Sequence, residues 1–204
     1  MYRLLPVFFE MLPAAAVLLP LTVLWQRCLA PRPRRGHICL LALFSLYLFA
    51  VFALTGLPAI GTVSPEITAS WIPFSDAAKD ARAWLSGAVL NILLFLPLGI
   101  AAPLLWREFC RLPQMLLLGF GVSLFIETMQ LLTFRVTDVD DLLMNTLGAL
   151  LGWGAALAAA RHPKIRALGA EQTVSGAAEA SFAAAVVFLY SFFVQPPRSR
   201  RLFG

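Results

Sequence analysis

The chain has 204 residues, of which 60% are hydrophobic and 13% charged, and its mean hydropathy is +0.80. This composition excludes an average soluble domain and indicates an integral membrane protein. The net charge of +5 does not indicate nucleic-acid binding, because the basic residues flank apolar segments, where topology and lipid headgroups explain them.

Six apolar segments approach the length that a membrane-spanning helix needs, about 20 residues for a hydrocarbon core of about 30 Å. We therefore predict an all-α, polytopic transmembrane bundle of about six spans. The predicted segments are residues 6–25, 38–57, 84–105, 113–134, 141–160 and 177–194.

Positive charge predicts the orientation of these segments, since loops rich in Lys and Arg favour the cytoplasmic side. Placing the arginine-rich loop 27–35 inside gives nine basic residues inside and four outside before the C-terminal tail. The tail, residues 195–204, carries three more arginines on the side predicted to be outside. The last segment is therefore predicted either as a sixth span, which its length favours, or as a hairpin or interfacial helix, which would leave five spans.

The outer loop 61–83 contains the aromatic pair Trp71 and Phe74. Such a pair is typical of an anchor at the membrane interface, but it also fits a flap folded over the outer mouth of the bundle. In the second case Ser75 or Asp76 would cap a short helix that includes Lys79 and Arg82.

Four polar side chains interrupt the apolar segments at similar depth: Asn91, Glu127, Gln130 and Asn145. Each lies four to seven residues from the predicted outer end of its helix, roughly 6 to 10 Å at the rise of an α-helix. Glu127 is the most informative, because a carboxyl inside a membrane must be neutral, paired or hydrated. Together they predict a polar pocket that opens to the extracytoplasmic leaflet, or, alternatively, polar packing contacts between helices.

A charged loop with Arg135, Asp138, Asp140 and Asp141 lies directly above this level. Carboxylates suit the start of a helix, but capping explains only part of this set.

The carboxylates Glu127, Asp138 and Asp141 could act as an acid and base pair or hold a divalent cation. Their spacing is not a metal motif, so we predict no metal and no cofactor. Both histidines and all three cysteines fall on the predicted cytoplasmic side, which disfavours Ser/His or Cys/His catalysis in the outer pocket.

Three motifs resemble the VanZ-like family, named for the teicoplanin-resistance protein VanZ: NILLFLPLGI at 91–100, ETMQ at 127–130 and RVTDVDDLLMNTLGALLG at 135–152. The resemblance covers about residues 71–160. It divides the chain into an N-terminal two-span region with the start of the outer loop (1–70), a VanZ-like membrane domain (71–160), and a cytoplasmic loop, last apolar helix and basic tail (161–204).

The resemblance also implies a ligand pocket and a function. The recurring polar residues of the family correspond here to Asn91, Glu127, Gln130, Arg135, Asp138, Asp141 and Asn145. The family is bacterial and membrane-embedded, and its founder is linked to tolerance of glycopeptide antibiotics.

The leading hypothesis is a multi-pass protein of the bacterial inner or plasma membrane that binds a lipid-linked or headgroup ligand in the outer pocket. Its expected partners are membrane lipids or a lipid-linked envelope precursor, with no nucleic acid and no soluble partner. One alternative is a lipid-modifying enzyme that uses Glu127 with an Asp as acid and base. Another is a small transporter, which the lack of a matching polar path in the inner half and of an inverted repeat disfavours.

Overall fold

The computed structural model describes residues 4–29, 35–56, 69–70, 72–132, 137–162 and 176–194. Within these ranges the chain is almost entirely helical, with one turn of 3₁₀-helix at Arg107–Cys110. A two-residue strand β1 (Ala69–Ser70) pairs in parallel with β2 (Thr137–Asp138). The α-helices are α1 (Leu4–Leu29), α2 (Arg35–Thr55), α3 (Ser75–Lys79), α4 (Ala81–Leu105), α5 (Leu112–Gln130), α6 (Val139–Ala159) and α7 (Gly176–Phe193).

Six of the described helices are long and apolar enough to cross a membrane. They are α1, α2, α4, α5, α6 and α7, and they match the six predicted segments to within a few residues. The prediction of an all-α, polytopic membrane bundle is confirmed. The C-terminal segment is one continuous helix, and it runs from Trp106 at one end of the bundle to Phe49 towards the other. It is therefore not a hairpin, and it is long and apolar enough to be a sixth span.

The closest helix pair is α4 with α6, which run parallel to each other. Glycines allow this approach, because a Cβ atom at Gly99 would lie 1.9 Å from the carbonyl oxygen of Ala149. A Cβ at Gly148 would likewise lie 2.3 Å from the carbonyl oxygen of Ile92. Helix α5 runs antiparallel to α6 and packs against it. Gly148 and Gly152 of α6 thus meet the backbone of α4.

The bundle has two ends that differ in chemistry. At one end, which we call the cleft end because a cleft lies there, α4 and α6 begin while α2 and α5 finish. At the opposite end, α2 and α7 begin while α1 and α4 finish. The charge pattern predicts that the cleft end is the extracytoplasmic one.

Residues 72–80, which we call the flap, include α3 and lie at the cleft end beside α4. The predicted short helix is present and includes Lys79, but its predicted cap and its extension to Arg82 are wrong: it follows Phe74, which makes no side-chain capping bond, and it ends at Lys79. Asp80 has extended backbone angles that interrupt the helix. Its carboxylate then caps α4 by accepting hydrogen bonds from the backbone N–H groups of Arg82 and Ala83, each at 3.1 Å.

Candidate functional site

Glu127 joins the last turn of α5 to the first turn of α6. Its Oε2 accepts a hydrogen bond from the backbone N–H of Asp138 at 3.1 Å, and its side chain is buried. Asp138 is the N-cap of α6, where its Oδ1 accepts from the backbone N–H of Asp140 at 2.9 Å. Glu127 thus positions the residue that starts α6.

Asp140 connects α6 to the flap. Its two carboxylate oxygens lie 3.0 and 3.1 Å from the backbone nitrogen of Phe74, which donates to them. The indole Nε1 of Trp84 donates to the same carboxylate at 2.8 Å, and the rings of Phe74 and Trp84 meet edge to face. Phe74 has φ 61°, a left-handed conformation that is unusual for a residue with a side chain. A buried carboxylate therefore stabilises an uncommon backbone conformation at the base of the flap.

Asp141 connects α6 to α4, because its Oδ1 accepts a hydrogen bond from Nδ2 of Asn91 at 2.5 Å. The sequence places both residues among the candidate ligand contacts, and the structure brings them together. Elements β2, α6 and α4 thus contribute neighbouring polar contacts at the cleft end.

A cleft of about 340 Å³ lies between the flap, α4 and the start of α6. Five carboxylates surround it, and the one ammonium group among its lining residues, that of Lys79, lies 2.7 Å from Asp76 on the exposed surface of the flap. Trp84, Met144 and small residues of α4 supply its apolar walls. The full lining is Asp76, Lys79, Asp80, Ala83, Trp84, Gly87, Ala88, Asp138, Asp140, Asp141 and Met144.

Two further candidate residues are buried behind this cleft and do not line it. Nε2 of Gln130 donates to the backbone oxygen of Thr55 at 3.0 Å, which joins the ends of α5 and α2. Nδ2 of Asn145 donates to Oγ of Ser123 at 3.0 Å, which joins α6 to α5. Both amides therefore connect helices, as the alternative of polar packing contacts predicts.

The predicted pocket residues consequently divide by position. Asp138 and Asp141 line the cleft, Asn91 contacts Asp141, and Glu127 supports Asp138 from behind. Arg135 lies outside the described residues. The ligand-contact role of all seven stays a prediction.

Burial raises the pKa of the Asp138 carboxyl above its ordinary value. The neighbouring carboxylates Asp140 and Asp76 raise this pKa further, whereas the hydrogen bond from the backbone of Asp140 lowers it. Asp138 is thus the cleft carboxyl best suited to exchange a proton at a pH above the usual range of an aspartate.

The raised pKa predicts a specific pH dependence for Asp138→Asn. The folded protein disfavours the charged form of Asp138. The contribution of this residue to the free energy of unfolding is therefore greatest at acidic pH, and it falls as the pH rises from the unfolded pKa to the raised folded pKa. Asparagine removes the charge but retains an oxygen that can cap α6. We expect the variant to melt slightly above wild type at pH 7 in detergent, and the two melting temperatures to converge at a pH below about 3.9, the unperturbed value. A difference that stays constant with pH would contradict the assigned cause.

A second buried polar cluster lies at the opposite end of the bundle, and sequence reasoning missed it. The carboxylate of Glu179, 3% exposed, accepts hydrogen bonds from Nε1 of Trp106 at 2.7 Å and from Nε2 of Gln26, and lies 3.0 Å from Nε2 of His37. These four residues, which we call the Glu179 cluster, come from α7, from the end of α4, from α1 and from α2. The signal in the sequence was a single glutamate in an apolar segment, the same signal that singled out Glu127.

The cluster also bears on the expected lack of a matching polar path in the inner half. Polar groups are present there, between α1, α2, α7 and the end of α4, whereas the cleft lies at the starts of α4 and α6. The two polar regions thus lie at opposite ends of the bundle, and α4 contributes to both.

Six apolar helices with buried polar networks at both ends define a multi-pass membrane protein. The cleft between its flap, α4 and α6 is acidic and lies at the helix ends. The sequence model of the VanZ/LLP1 family matches residues 38–160, and the chain belongs to this family. The match begins at α2, so the family region also includes the second span. No curated protein matches the chain, and no solved structure does.

Proposed function

We propose that the protein binds a lipid headgroup or a lipid-linked envelope precursor in the acidic cleft at the outer face of a bacterial plasma membrane. Binding would change the composition of the cell envelope or the access of glycopeptide antibiotics to it. The observation that carries this proposal is the cleft of about 340 Å³, which lies where the apolar helices begin and combines carboxylates with apolar walls.

The position of the cleft supports a ligand that belongs to the membrane. Ile72 and Phe74 of the flap are 71% and 50% exposed, and Leu85 on the first turns of α4 is also exposed. Exposed apolar side chains at the ends of membrane helices are stable in contact with lipid. A lipid whose chains lie against α4 could therefore place its headgroup in the cleft.

The charge of the cleft supports a particular class of headgroup. Carboxylates accept hydrogen bonds and attract cations, whereas they repel an unshielded phosphate. The cleft therefore suits a headgroup that carries an ammonium group or several sugar hydroxyls. Asp138 and Asp141 are the proposed contacts, because they line the cleft, whereas both carboxylate oxygens of Asp140 already accept bonds from Phe74 and Trp84.

The proposal is tested in a strain that lacks the protein and is complemented with variants. Asp141→Ala and Glu127→Ala are expected to reach the membrane at the wild-type level and to lose at least about tenfold of the glycopeptide tolerance or lipid change that wild type restores, since each loses bonds to a charged group. Thr128→Val is the matched control, because Thr128 is exposed, next to Glu127, and bonds only within α5 through its hydroxyl. Full complementation by both carboxylate variants would refute a role for the cleft.

Binding can also be measured directly. The purified protein, in nanodiscs made from a total bacterial lipid extract, is expected to enrich a lipid with an amine-bearing or sugar headgroup, detected by mass spectrometry. The Asp138→Asn, Asp141→Asn double variant is expected to lose this enrichment.

A second candidate is a lipid-modifying enzyme, and the raised pKa of Asp138 favours it. In this case the Glu127 carboxylate positions Asp138, which exchanges the proton. Lipid profiles of the deletion strain and of an Asp138→Asn strain distinguish the two functions. An enzyme predicts that a substrate accumulates and a product disappears, whereas binding alone leaves both lipids present.

A further inference from the structure

The last helix, α7, lies outside the family region, and its start is held by polar groups of the other helices. The Glu179 cluster supplies the first part of this attachment, since its donors belong to α1, α2 and the end of α4. Three donors from three separate elements converge on one carboxylate that is almost fully buried. Glu179 therefore acquires its hydrogen bonds only when these elements are already assembled.

Glu108 supplies the second part. Its two carboxylate oxygens accept hydrogen bonds from the backbone N–H groups of Gly176 and Ala177, each at 3.2 Å. These N–H groups have no partner within the helix, so the carboxylate caps α7 from the 3₁₀ turn. Gly176 also packs on Trp106, and a Cβ atom at this glycine would lie 2.6 Å from Cβ of Trp106. The first turn of α7 is thus fitted to the end of α4.

Two features of α7 oppose its insertion as a span in this orientation. The first is the carboxyl of Glu179, which lies inside an otherwise apolar segment. The arginines at 198, 200 and 201 follow it in the sequence, on the side where the charge rule disfavours them. The buried carboxyl and the charge of the tail thus oppose insertion in this orientation, although the length and hydropathy of α7 suffice for a span.

We propose that α7 inserts as the sixth span by docking on the assembled bundle through the Glu179 cluster, so that this cluster determines on which side of the membrane the basic tail lies. The hydrogen bonds from Gln26, His37 and Trp106 offset the cost of burying the carboxylate. Helices α1 and α2 thereby control the topology of a helix more than a hundred residues further along the chain.

The experiment determines on which side of the membrane the C-terminus of the full chain lies in a bacterial host. Alkaline phosphatase fused after Gly204 is active only outside, and green fluorescent protein at the same position is fluorescent only inside. Wild type is expected to place the reporter outside. The Gln26→Leu, Trp106→Phe variant is expected to lose about tenfold or more of the outside signal and to gain the inside signal, because a buried carboxylate loses two donors.

Adding Glu179→Leu to this variant is the decisive step. Leucine needs no hydrogen-bond donors and makes the segment more apolar, so the outside signal is expected to return. If the Gln26→Leu, Trp106→Phe variant is degraded, the protein level is expected to return as well. Ser191→Ala is the control, because Ser191 is buried on the same helix and its hydroxyl has no partner among the described residues. The proposal is overturned by a wild-type reporter inside, by a donor variant with wild-type topology, or by a failure of Glu179→Leu to restore the outside signal.

Discussion

Replacing Gly152 by alanine is expected to destabilise the protein by about 3 kcal/mol, the upper part of the range for overpacking a close contact. The added Cβ atom would lie 2.1 Å from the carbonyl oxygen of Leu96, which belongs to the backbone of α4 and cannot rotate away. The two helices would have to separate, and the bond between Asp141 and Asn91 at their start would lengthen. Thermal unfolding in detergent and the functional complementation assay would both report the change.

Gly154 on the same helix is the matched control. A Cβ atom at this position would have nothing within 4 Å, so alanine should change the stability by no more than about 0.5 kcal/mol. Equal melting temperatures for the two variants would show that the contact between α4 and α6 is looser than described.

Replacing Asp140 by alanine is expected to release the flap while the bundle stays folded. The backbone N–H of Phe74 and the indole N–H of Trp84 would both lose their carboxylate partner, and Phe74 would no longer be stabilised with φ 61°. Hydrogen bonds to a charged group contribute about 1.5 to 3 kcal/mol each. Trypsin should therefore cleave after the exposed Lys79 roughly ten times faster or more, since about 1.4 kcal/mol corresponds to a factor of ten.

Asp141→Ala serves as the comparison for this experiment, because Asp141 is adjacent in the sequence and its Oδ1 accepts a bond from Asn91 of α4, outside the flap. Its flap should be cleaved at the wild-type rate. If the two variants are cleaved equally fast, Asp140 does not hold the flap, and the division between positioning and ligand-contacting carboxylates fails.

This division gives the acidic residues of the cleft end distinct tasks. Glu127 and Asp140 are positioning residues, since each accepts bonds from the backbone of another element. Asp138 and Asp141 line the cleft, and under the proposed function they contact the headgroup. Loss of a positioning residue should alter both proteolysis and function, whereas loss of a contact should alter function alone.

The sequence by itself determined the class of the protein and the bounds of its spans. Hydropathy depends on composition along a continuous segment, so the six apolar segments and their polar interruptions could be read without knowledge of any contact. The motifs at 91–100, 127–130 and 135–152 likewise indicated the family to which the chain belongs. Glu127 was identified because a carboxyl inside a membrane helix is unusual, whereas Asp138 and Asp141 were identified from the charged loop and from the family motif.

Only the tertiary structure decided what each polar group bonds. The sequence identified Asp140 only as one of three aspartates in the charged loop, and its partner Phe74 is 66 residues away in the sequence. Gln26 and Glu179 are 153 residues apart, and neither has a local pattern that predicts the other. Hydrogen bonds between distant segments depend on how the helices pack, and that packing rests on glycine contacts whose partners a hydropathy pattern does not specify. For this reason the membrane spans could be predicted from the sequence, whereas the bonds of Asp140 to the flap and the attachment of the last helix could not.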